Sequence, residues 1–212
     1  MLTSVDCEGD YKGIVNGPAV ALTCKGYIKE ENVVVSQEGR EYVSNLRYAN
    51  IKKFDISNGP GIRLSLFVSG CERHCSGCFN SEIWDRKSGK PFDELERLKF
   101  ISELTKEEYS GISILGGEPL EIYNIHDVSI FCSDIKEIFG DKRNIWVYSG
   151  YKWEEIPCKE KYLKDVDVLV DGPFVEELKD PSLTFRGSSN QRIILVQESL
   201  HDGKIVLLED YM

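Results

Sequence analysis

The chain has 212 residues, and its 26 lysines and arginines against 36 aspartates and glutamates give a formal net charge of −10 at pH 7. A composition of 41% hydrophobic and 29% charged residues is typical of a folded protein with an apolar core and excludes a disordered chain. The acidic balance argues against nucleic acid binding, and the lack of a run of about 20 apolar residues argues against a membrane span. The N-terminus has neither the basic region nor the apolar core of a signal peptide, so cytoplasmic residence is expected.

The first part of the chain, residues 1–45, differs from the rest because it contains no recognisable motif. Residues 19–23 and 33–36 are suited to two short strands, separated by Gly26 and an acidic pair. We therefore expect residues 1–45 to form an N-terminal extension with some β structure and no assigned role. Residues 46–212 are expected to form the main domain, since about 150 residues suffice for one.

Strand and helix patterns alternate from residue 62 onward. Apolar and polar side chains alternate over residues 62–68, which predicts a strand that leads directly into Gly70 and Cys71. A helix is predicted after Pro91, where apolar residues recur every three positions with charges between them. They are Phe92, Leu95, Leu98, Ile101 and Leu104. A second helix is predicted to stop at Gly140. Its apolar stripe consists of Val128, Phe131, Cys132, Ile135 and Phe139.

Three further buried strands are predicted over residues 112–115, 145–148 and 166–170. Like the strand over residues 62–68, each of them ends in a polar turn that contains glycine. The alternation predicts an α/β fold with a mainly parallel sheet or a partial, open βα barrel. In such folds ligand sites gather at the carboxyl ends of the strands, so the four glycine turns are expected to meet at one site.

The cysteines give the first indication of chemistry. The chain has seven, an odd number, and Cys71, Cys75 and Cys78 lie within eight residues with the spacing C-x3-C-x2-C. This pattern suits a metal or redox site better than a disulfide framework. Three thiolates on one loop can hold an iron–sulfur cluster that leaves one iron open to a small molecule. A structural zinc site with His74 or a distant cysteine as fourth ligand, and an electron carrier with a fourth cysteine, remain alternatives. Cys132 lies on an apolar stripe, which favours a core position.

Several motifs accompany this triplet in a fixed order. They are Asn58-Gly59-Pro60-Gly61-Ile62-Arg63, LFVSGC before the triplet, Cys78-Phe79-Asn80, Gly116-Gly117-Glu118-Pro119-Leu120, Trp146-Val147-Tyr148-Ser149-Gly150-Tyr151, Asp171-Gly172-Pro173-Phe174 and RGSSNQR over residues 186–192. With them, the chain resembles the radical S-adenosylmethionine enzymes over roughly residues 46–196. Within that superfamily it resembles the activating proteins of anaerobic (class III) ribonucleoside-triphosphate reductases, which the last two motifs indicate.

The resemblance implies an oxidoreductase with a 4Fe-4S cluster at its catalytic centre. Cys71, Cys75 and Cys78 would bind three irons, and the amino and carboxylate groups of S-adenosyl-L-methionine would bind the fourth. Reductive cleavage would give a 5′-deoxyadenosyl radical that removes a hydrogen from a glycine of the large reductase subunit, leaving a glycyl radical. The implied partners are that subunit and a reduced flavodoxin- or ferredoxin-type electron donor. The alternatives are an activator of another glycyl radical enzyme, such as the formate-lyase type, and a non-catalytic zinc or electron-transfer module.

The resemblance also implies contacts to the cofactor. Gly116 and Gly117 would let the backbone approach the methionine moiety, and Glu118 would accept a hydrogen bond from its ammonium group. Many members of the superfamily carry an aromatic residue before the third cysteine, where this chain has Gly77, and the resemblance places Gly77 and Cys78 among the cofactor-binding residues. Phe79, which follows that cysteine, would offer an aromatic face to adenine instead.

Further cofactor contacts are expected at the ends of later strands. The segment Tyr148-Ser149-Gly150 and Asp171 would hold the ribose, the carboxylate or an associated cation. The polar run over residues 186–192 is assigned to cofactor or partner contact.

Overall fold

The fold is a single sheet with helices in its connections, as a computed structural model describes it for residues 44–211. The strands are β1 (Arg47–Asp55), β2 (Ile62–Val68), β3 (Lys90–Pro91), β4 (Tyr109–Gly116), β5 (Asn144–Tyr148), β6 (Val168–Asp171) and β7 (Arg192–Leu195). The helices are α1 (Glu94–Leu104), α2 (Ile125–Phe139), α3 (Lys159–Tyr162) and α4 (Val196–Asp202).

The sheet has the strand order β3-β1-β2-β4-β5-β6-β7. The four central strands β2, β4, β5 and β6 run parallel to one another. At the edges β1, β3 and β7 pair antiparallel with their neighbours. The predicted α/β fold with a parallel sheet is therefore confirmed for the centre of an open sheet, and the antiparallel edges are an addition that the sequence did not indicate.

The pairing register aligns the carboxyl ends of the central strands. Val68, the last residue of β2, lies opposite Gly116, the last residue of β4. Tyr148, at the end of β5, lies opposite Val170 of β6. The turns that follow these strands therefore leave the sheet at the same edge, as the sequence predicted.

Both predicted helices are confirmed, with one difference. Helix α1 begins after Asp93, whose side chain accepts a hydrogen bond from the backbone N–H of Glu96 at 3.0 Å. Leu95 was expected on its apolar stripe but is 61% exposed, because a three-residue repeat drifts around a helix that has 3.6 residues per turn. Helix α2 ends at Gly140, which has a φ of 55°, and its Cys132 is fully buried as predicted.

A buried carboxylate holds the loop between β1 and β2. Asp55 accepts hydrogen bonds from Ser57 N at 3.0 Å, Asn58 Nδ2 at 2.5 Å and Ser65 Oγ at 2.6 Å, and it pairs with Lys52 Nζ at 2.8 Å. Burial alone raises the pKa of Asp55, but the hydrogen bonds outweigh burial and lower the pKa to about 2. The loop is thereby tied to the first residues of β2.

A buried guanidinium holds the same loop from the other side. The side chain of Arg63 is fully buried, and burial lowers its pKa to about 10. It donates to Ser113 Oγ at 2.6 Å, to Asn144 Oδ1 at 2.7 Å and to the backbone oxygens of Pro60, at 3.2 Å, and of Ile112. The loop, β4 and β5 therefore share one hydrogen-bonding centre.

The predictions for residues 1–43 lie outside the described part of the chain, so the two short strands and the boundary near residue 45 stay predictions. Within residues 44–211, no helix is both long enough and apolar enough to cross a membrane.

Candidate active site

A cavity of about 460 Å³ opens where the turns after the central strands meet. This volume lies in the usual range for small-molecule sites. The cavity is lined by all of the predicted site residues except Gly77 and Asp171. The lining ones are Cys71, Cys75, Cys78, Phe79, Gly116, Gly117, Glu118 and Ser149. Residues far apart in the sequence are thus brought to one place by the parallel strands.

The cluster loop, residues 71–78, places its three free thiols along one wall of this cavity. Its first cysteine, Cys71, is buried, and its backbone N–H donates to Trp84 O at 2.9 Å. Burial raises the pKa of the Cys71 thiol, and hydrogen bonds from the backbone of Arg73 and His74 partly oppose this shift. No three His, Cys, Asp or Glu side chains within residues 44–211 are gathered closely enough to hold a single metal ion.

Gly77 contacts a neighbouring loop and not the cavity. Its φ is +67°, and a Cβ atom placed on it would lie 2.6 to 2.8 Å from the carboxyl group of Glu176. The adjacent Ser76 Oγ donates to Glu176 Oε2 at 3.2 Å. The positive φ therefore favours glycine at position 77, whereas the exposed Glu176 side chain can rotate away from a larger residue.

Phe79 lies on the rim of the cavity. Its side chain is 68% exposed, and its ring centroid lies 5.5 Å from that of Phe174 and 4.7 Å from Lys179 Nζ. The predicted contact between Phe79 and adenine stays a prediction.

Glu118 ties the turn after β4 to the turn after β5. Its buried carboxylate accepts from Leu120 N at 2.9 Å, Ser149 Oγ at 2.7 Å and Gly150 N at 2.6 Å. Burial raises its pKa to about 7, although these hydrogen bonds favour the charged form. A Cβ atom on Gly117 would collide with the backbone of Gly70, so the turns after β2 and β4 also touch. The close approach of these two backbone segments is what requires glycine at position 117.

Asp171 does not line the cavity, and its side chain instead binds neighbouring parts of the fold. Its fully buried carboxylate accepts from Trp153 N at 2.6 Å and from Arg192 Nε at 2.9 Å. Arg192 also pairs with Glu154 at 2.9 Å. The last residue of the RGSSNQR run therefore joins β7 to β6 and to the turn after β5.

Comparison with known proteins identifies the family. A model described as a 4Fe-4S single cluster domain matches residues 57–194. The anaerobic ribonucleoside-triphosphate reductase-activating protein of Salmonella typhimurium is 44% identical over 149 residues, which cover 69% of this chain and 96% of that protein. The proteins of the same name from Escherichia coli K12 and phage T4 are 43% and 38% identical, with 96% and 93% of their lengths covered. The chain belongs to this family of reductase-activating proteins. The resemblance noted in the sequence is thereby confirmed.

Three residues of the RGSSNQR run, Arg186, Gly187 and Gln191, form part of the cavity wall. Gln191 Oε1 accepts from Gly187 N at 2.8 Å and Ser188 N at 3.1 Å, and Gln191 Nε2 donates to Gly172 O at 3.1 Å. Gly172, Gly187 and Gln191 all line the cavity. The side-chain amide of Gln191 thus connects the end of β6 to residues 187 and 188 of the run.

Two residues that line the cavity each hold a buried polar atom without a partner in the described part of the chain. The Oη atom of Tyr148 and the Nε1 atom of Trp84 are buried, and neither has a hydrogen-bond partner among residues 44–211. Burial raises the pKa of Tyr148, so its hydroxyl keeps its proton. Buried polar groups are rarely left unpaired, which distinguishes these two atoms from the hydrogen-bonded carboxylate of Glu118. Trp84 was not expected in the site. It follows the cluster loop in the sequence, and only the folding of the turn after that loop brings it to the cavity.

Proposed function

We propose that this chain activates an anaerobic ribonucleoside-triphosphate reductase as a radical S-adenosylmethionine oxidoreductase. The observation that supports the proposal is a single cavity where three cysteine thiols face the Gly116-Gly117-Glu118 turn, in a chain 44% identical to a protein named for that activation. Residues 46–212 would carry the activity as one domain of the partial-barrel type, with residues 1–45 as an extension.

The residues that line the cavity fit a 4Fe-4S cluster with S-adenosyl-L-methionine. Cys71, Cys75 and Cys78 offer three thiolate ligands and leave a fourth position for a small molecule. A bound and reduced cluster would supply the one electron needed for reductive cleavage of S-adenosyl-L-methionine to methionine and a 5′-deoxyadenosyl radical. The unpaired Tyr148 hydroxyl and Trp84 indole would bind polar atoms of the cofactor. The chain itself orients the cofactor and keeps water from the reactive carbon.

Glu118 would combine two tasks. Its carboxylate fixes the turns after β4 and β5 through Ser149 and Gly150. Its remaining lone pair would accept a hydrogen bond from the amino group of S-adenosyl-L-methionine. A pKa of about 7 means that the carboxyl group gains a proton as the pH falls below neutrality, and its contact with that amino group would then weaken.

The partner in this proposal is the large subunit of the reductase, which would present a glycine at the rim of the cavity beside Phe79. Hydrogen removal from that glycine would leave the glycyl radical. A reduced flavodoxin- or ferredoxin-type protein would supply the electron to the cluster.

The first test is cofactor cleavage in the absence of oxygen. The protein is reconstituted with iron and sulfide, reduced, and supplied with S-adenosylmethionine and the large subunit, and 5′-deoxyadenosine and glycyl radical are quantified. We expect both products from the wild type and neither from Cys75→Ala, with Cys132→Ala as the matched control because that thiol is buried in the core.

Other outcomes would redirect the proposal. If the protein binds zinc tightly and takes up no iron, the three cysteines have a structural role. Cleavage with a radical on a formate-lyase-type enzyme, but not on the reductase, would change the partner and keep the chemistry.

A further inference from the structure

Arg73, between the first two cysteines of the cluster loop, is a cation with unused hydrogen-bond donors. It lines the cavity, and its Nε atom is buried without a partner among residues 44–211. Its ion pair in that part of the chain is with Glu155, at 4.0 Å between Nη1 and Oε2. Glu155 is about half exposed, and the same Oε2 already accepts from Lys152 N at 2.7 Å. The guanidinium is thus charged, positioned and incompletely paired.

The neighbours of Arg73 fix its side chain in place. Its guanidinium carbon lies 4.6 Å from the centre of the Tyr151 ring. A Cβ atom on Gly150 would lie 2.5 Å from Arg73 Cδ, so the side chain uses the space that glycine leaves open. Tyr151 Oη donates to Glu121 at 3.1 Å, and the other oxygen of that buried carboxylate accepts from Glu72 N at 3.0 Å. One carboxylate therefore holds both the ring beneath Arg73 and the residue before it.

We propose that Arg73 is a specificity-determining residue that binds the carboxylate of the ligand in this cavity. The proposal rests on the proposed function, in which the ligand carries the carboxylate of a methionine moiety. A planar guanidinium with free N–H groups matches a carboxylate in geometry and charge. Buried donors without partners are costly, so a ligand that pairs with them gains affinity. The nearby carboxylate of Glu118 accepts from two backbone N–H groups and a hydroxyl of the chain, so it leaves the cation available.

The position of Arg73 also explains why a carboxylate is favoured over another anion. The guanidinium belongs to the loop that carries Cys71 and Cys75, and it lies against Gly150 together with Glu118. An amino acid moiety placed there would meet a cation for its carboxylate and a carboxyl group that accepts from its amino group. The two groups together match both ends of the amino acid moiety, which a phosphate or a simple anion would not satisfy.

The test compares two ligands that differ only in the carboxylate: S-adenosylhomocysteine and its decarboxylated analogue. Anaerobic calorimetry measures the binding of both to the cluster-loaded wild type, Arg73→Gln, Arg73→Lys and Arg86→Gln. Arg86 is the matched control, because its guanidinium lies 5.1 Å from the Tyr123 ring but does not line the cavity.

We expect Arg73→Gln to weaken S-adenosylhomocysteine binding about 10- to 100-fold, the range for hydrogen bonds to a charged group. Binding of the decarboxylated analogue should change less than about twofold. Arg73→Lys keeps the charge without the planar fork, so its loss should be intermediate, and Arg86→Gln should bind as the wild type does. If Arg73→Gln fails to retain iron, the Arg73→Lys comparison decides the proposal.

An equal loss for both ligands would overturn the proposal, because Arg73 would then only shape the cavity. Unchanged binding of S-adenosylhomocysteine to Arg73→Gln would overturn it as well. In both cases the wild type still binds, so the proposed function stands. Failure of the cluster-loaded wild type to bind either ligand would overturn the proposed function and this role together.

Discussion

Two regions of the protein bury polar side chains in opposite ways. Beneath the loop between β1 and β2, Asp55 and Arg63 are surrounded by hydrogen-bond partners. Around the cavity, Tyr148 Oη, Trp84 Nε1 and Arg73 Nε are buried without partners among the described residues. Full pairing stabilises a fixed structure, whereas unpaired groups cost stability unless a ligand meets them. The first region is therefore scaffold, and the second is organised for binding.

The largest expected effect comes from removing the centre of the scaffold region. Arg63→Met leaves buried acceptors on Ser113, Asn144 and Ile112 without a donor. Each such acceptor costs about 1 to 3 kcal/mol, so we expect the free energy of unfolding to fall by about 3 kcal/mol or more in urea titrations.

Arg143 provides the matched control for that substitution. It also donates to backbone oxygens, those of Leu104 and Lys106, but near the surface, where water can replace it. Arg143→Met should cost about 1 kcal/mol or less. Equal losses for Arg63→Met and Arg143→Met would contradict the distinction between the buried centre and the surface.

A second prediction distinguishes the two regions by how the stability cost of replacing one buried serine in each region depends on pH. Ser149 donates to Glu118, which has a pKa of about 7, and Ser65 donates to Asp55, which has a pKa of about 2. Glu118 holds its proton to a higher pH in the folded chain than in the unfolded chain. Its contribution to the free energy of unfolding therefore declines as the pH rises from about 4.5 to 7.

Loss of the Ser149 hydroxyl should raise the pKa of Glu118 further. The contribution of Glu118 to the free energy of unfolding should then keep declining to a higher pH. We expect Ser149→Ala to cost about 2 kcal/mol at pH 8 and about 1 kcal/mol at pH 5, where Glu118 is protonated. Ser65→Ala should cost the same at both pH values, since Asp55 is ionised at both and loses its stabilising effect only as the pH falls from about 4 towards 2. Urea unfolding at the two pH values measures this, and a Ser149→Ala cost that does not depend on pH would refute it.

The smallest effect on stability is expected for an unpaired group of the cavity. Tyr148→Phe removes a buried hydroxyl that has no partner among residues 44–211, so the free energy of unfolding should stay within about 0.5 kcal/mol or increase. Affinity for S-adenosylhomocysteine should nevertheless fall about 5- to 10-fold, because one neutral hydrogen bond is lost. A large loss of stability with unchanged affinity for S-adenosylhomocysteine would show that Tyr148 belongs to the scaffold region and does not bind the ligand.

The sequence predicted the centre of the fold better than its edges. Strand β2 was predicted at its observed bounds, because alternation and the following glycine mark both ends. Strand β1 was not predicted, since most of its side chains are exposed and its apolar residues do not alternate. Antiparallel pairing at the edges is a contact between distant segments, and no local pattern encodes it.

The sequence predicted those site residues whose motif reflects a requirement of the backbone, such as glycine in a turn. The glycine turns converge because parallel strands end at one edge, and this follows from alternation alone. Arg73 and Trp84 were not singled out, because a cation or an indole has no special sequence pattern until tertiary packing leaves it unpaired. Asp171 was expected at the cavity because it ends a strand, but its carboxylate pairs with Arg192.

The left-handed backbone at Gly77 has an evolutionary consequence. A side chain at position 77 needs a different backbone conformation in the cluster loop, whereas the exposed Glu176 side chain only has to rotate away. A lineage that acquires an aromatic residue before its third cysteine is therefore expected to have reshaped the cluster loop, while position 176 stays free to keep its long acidic residue.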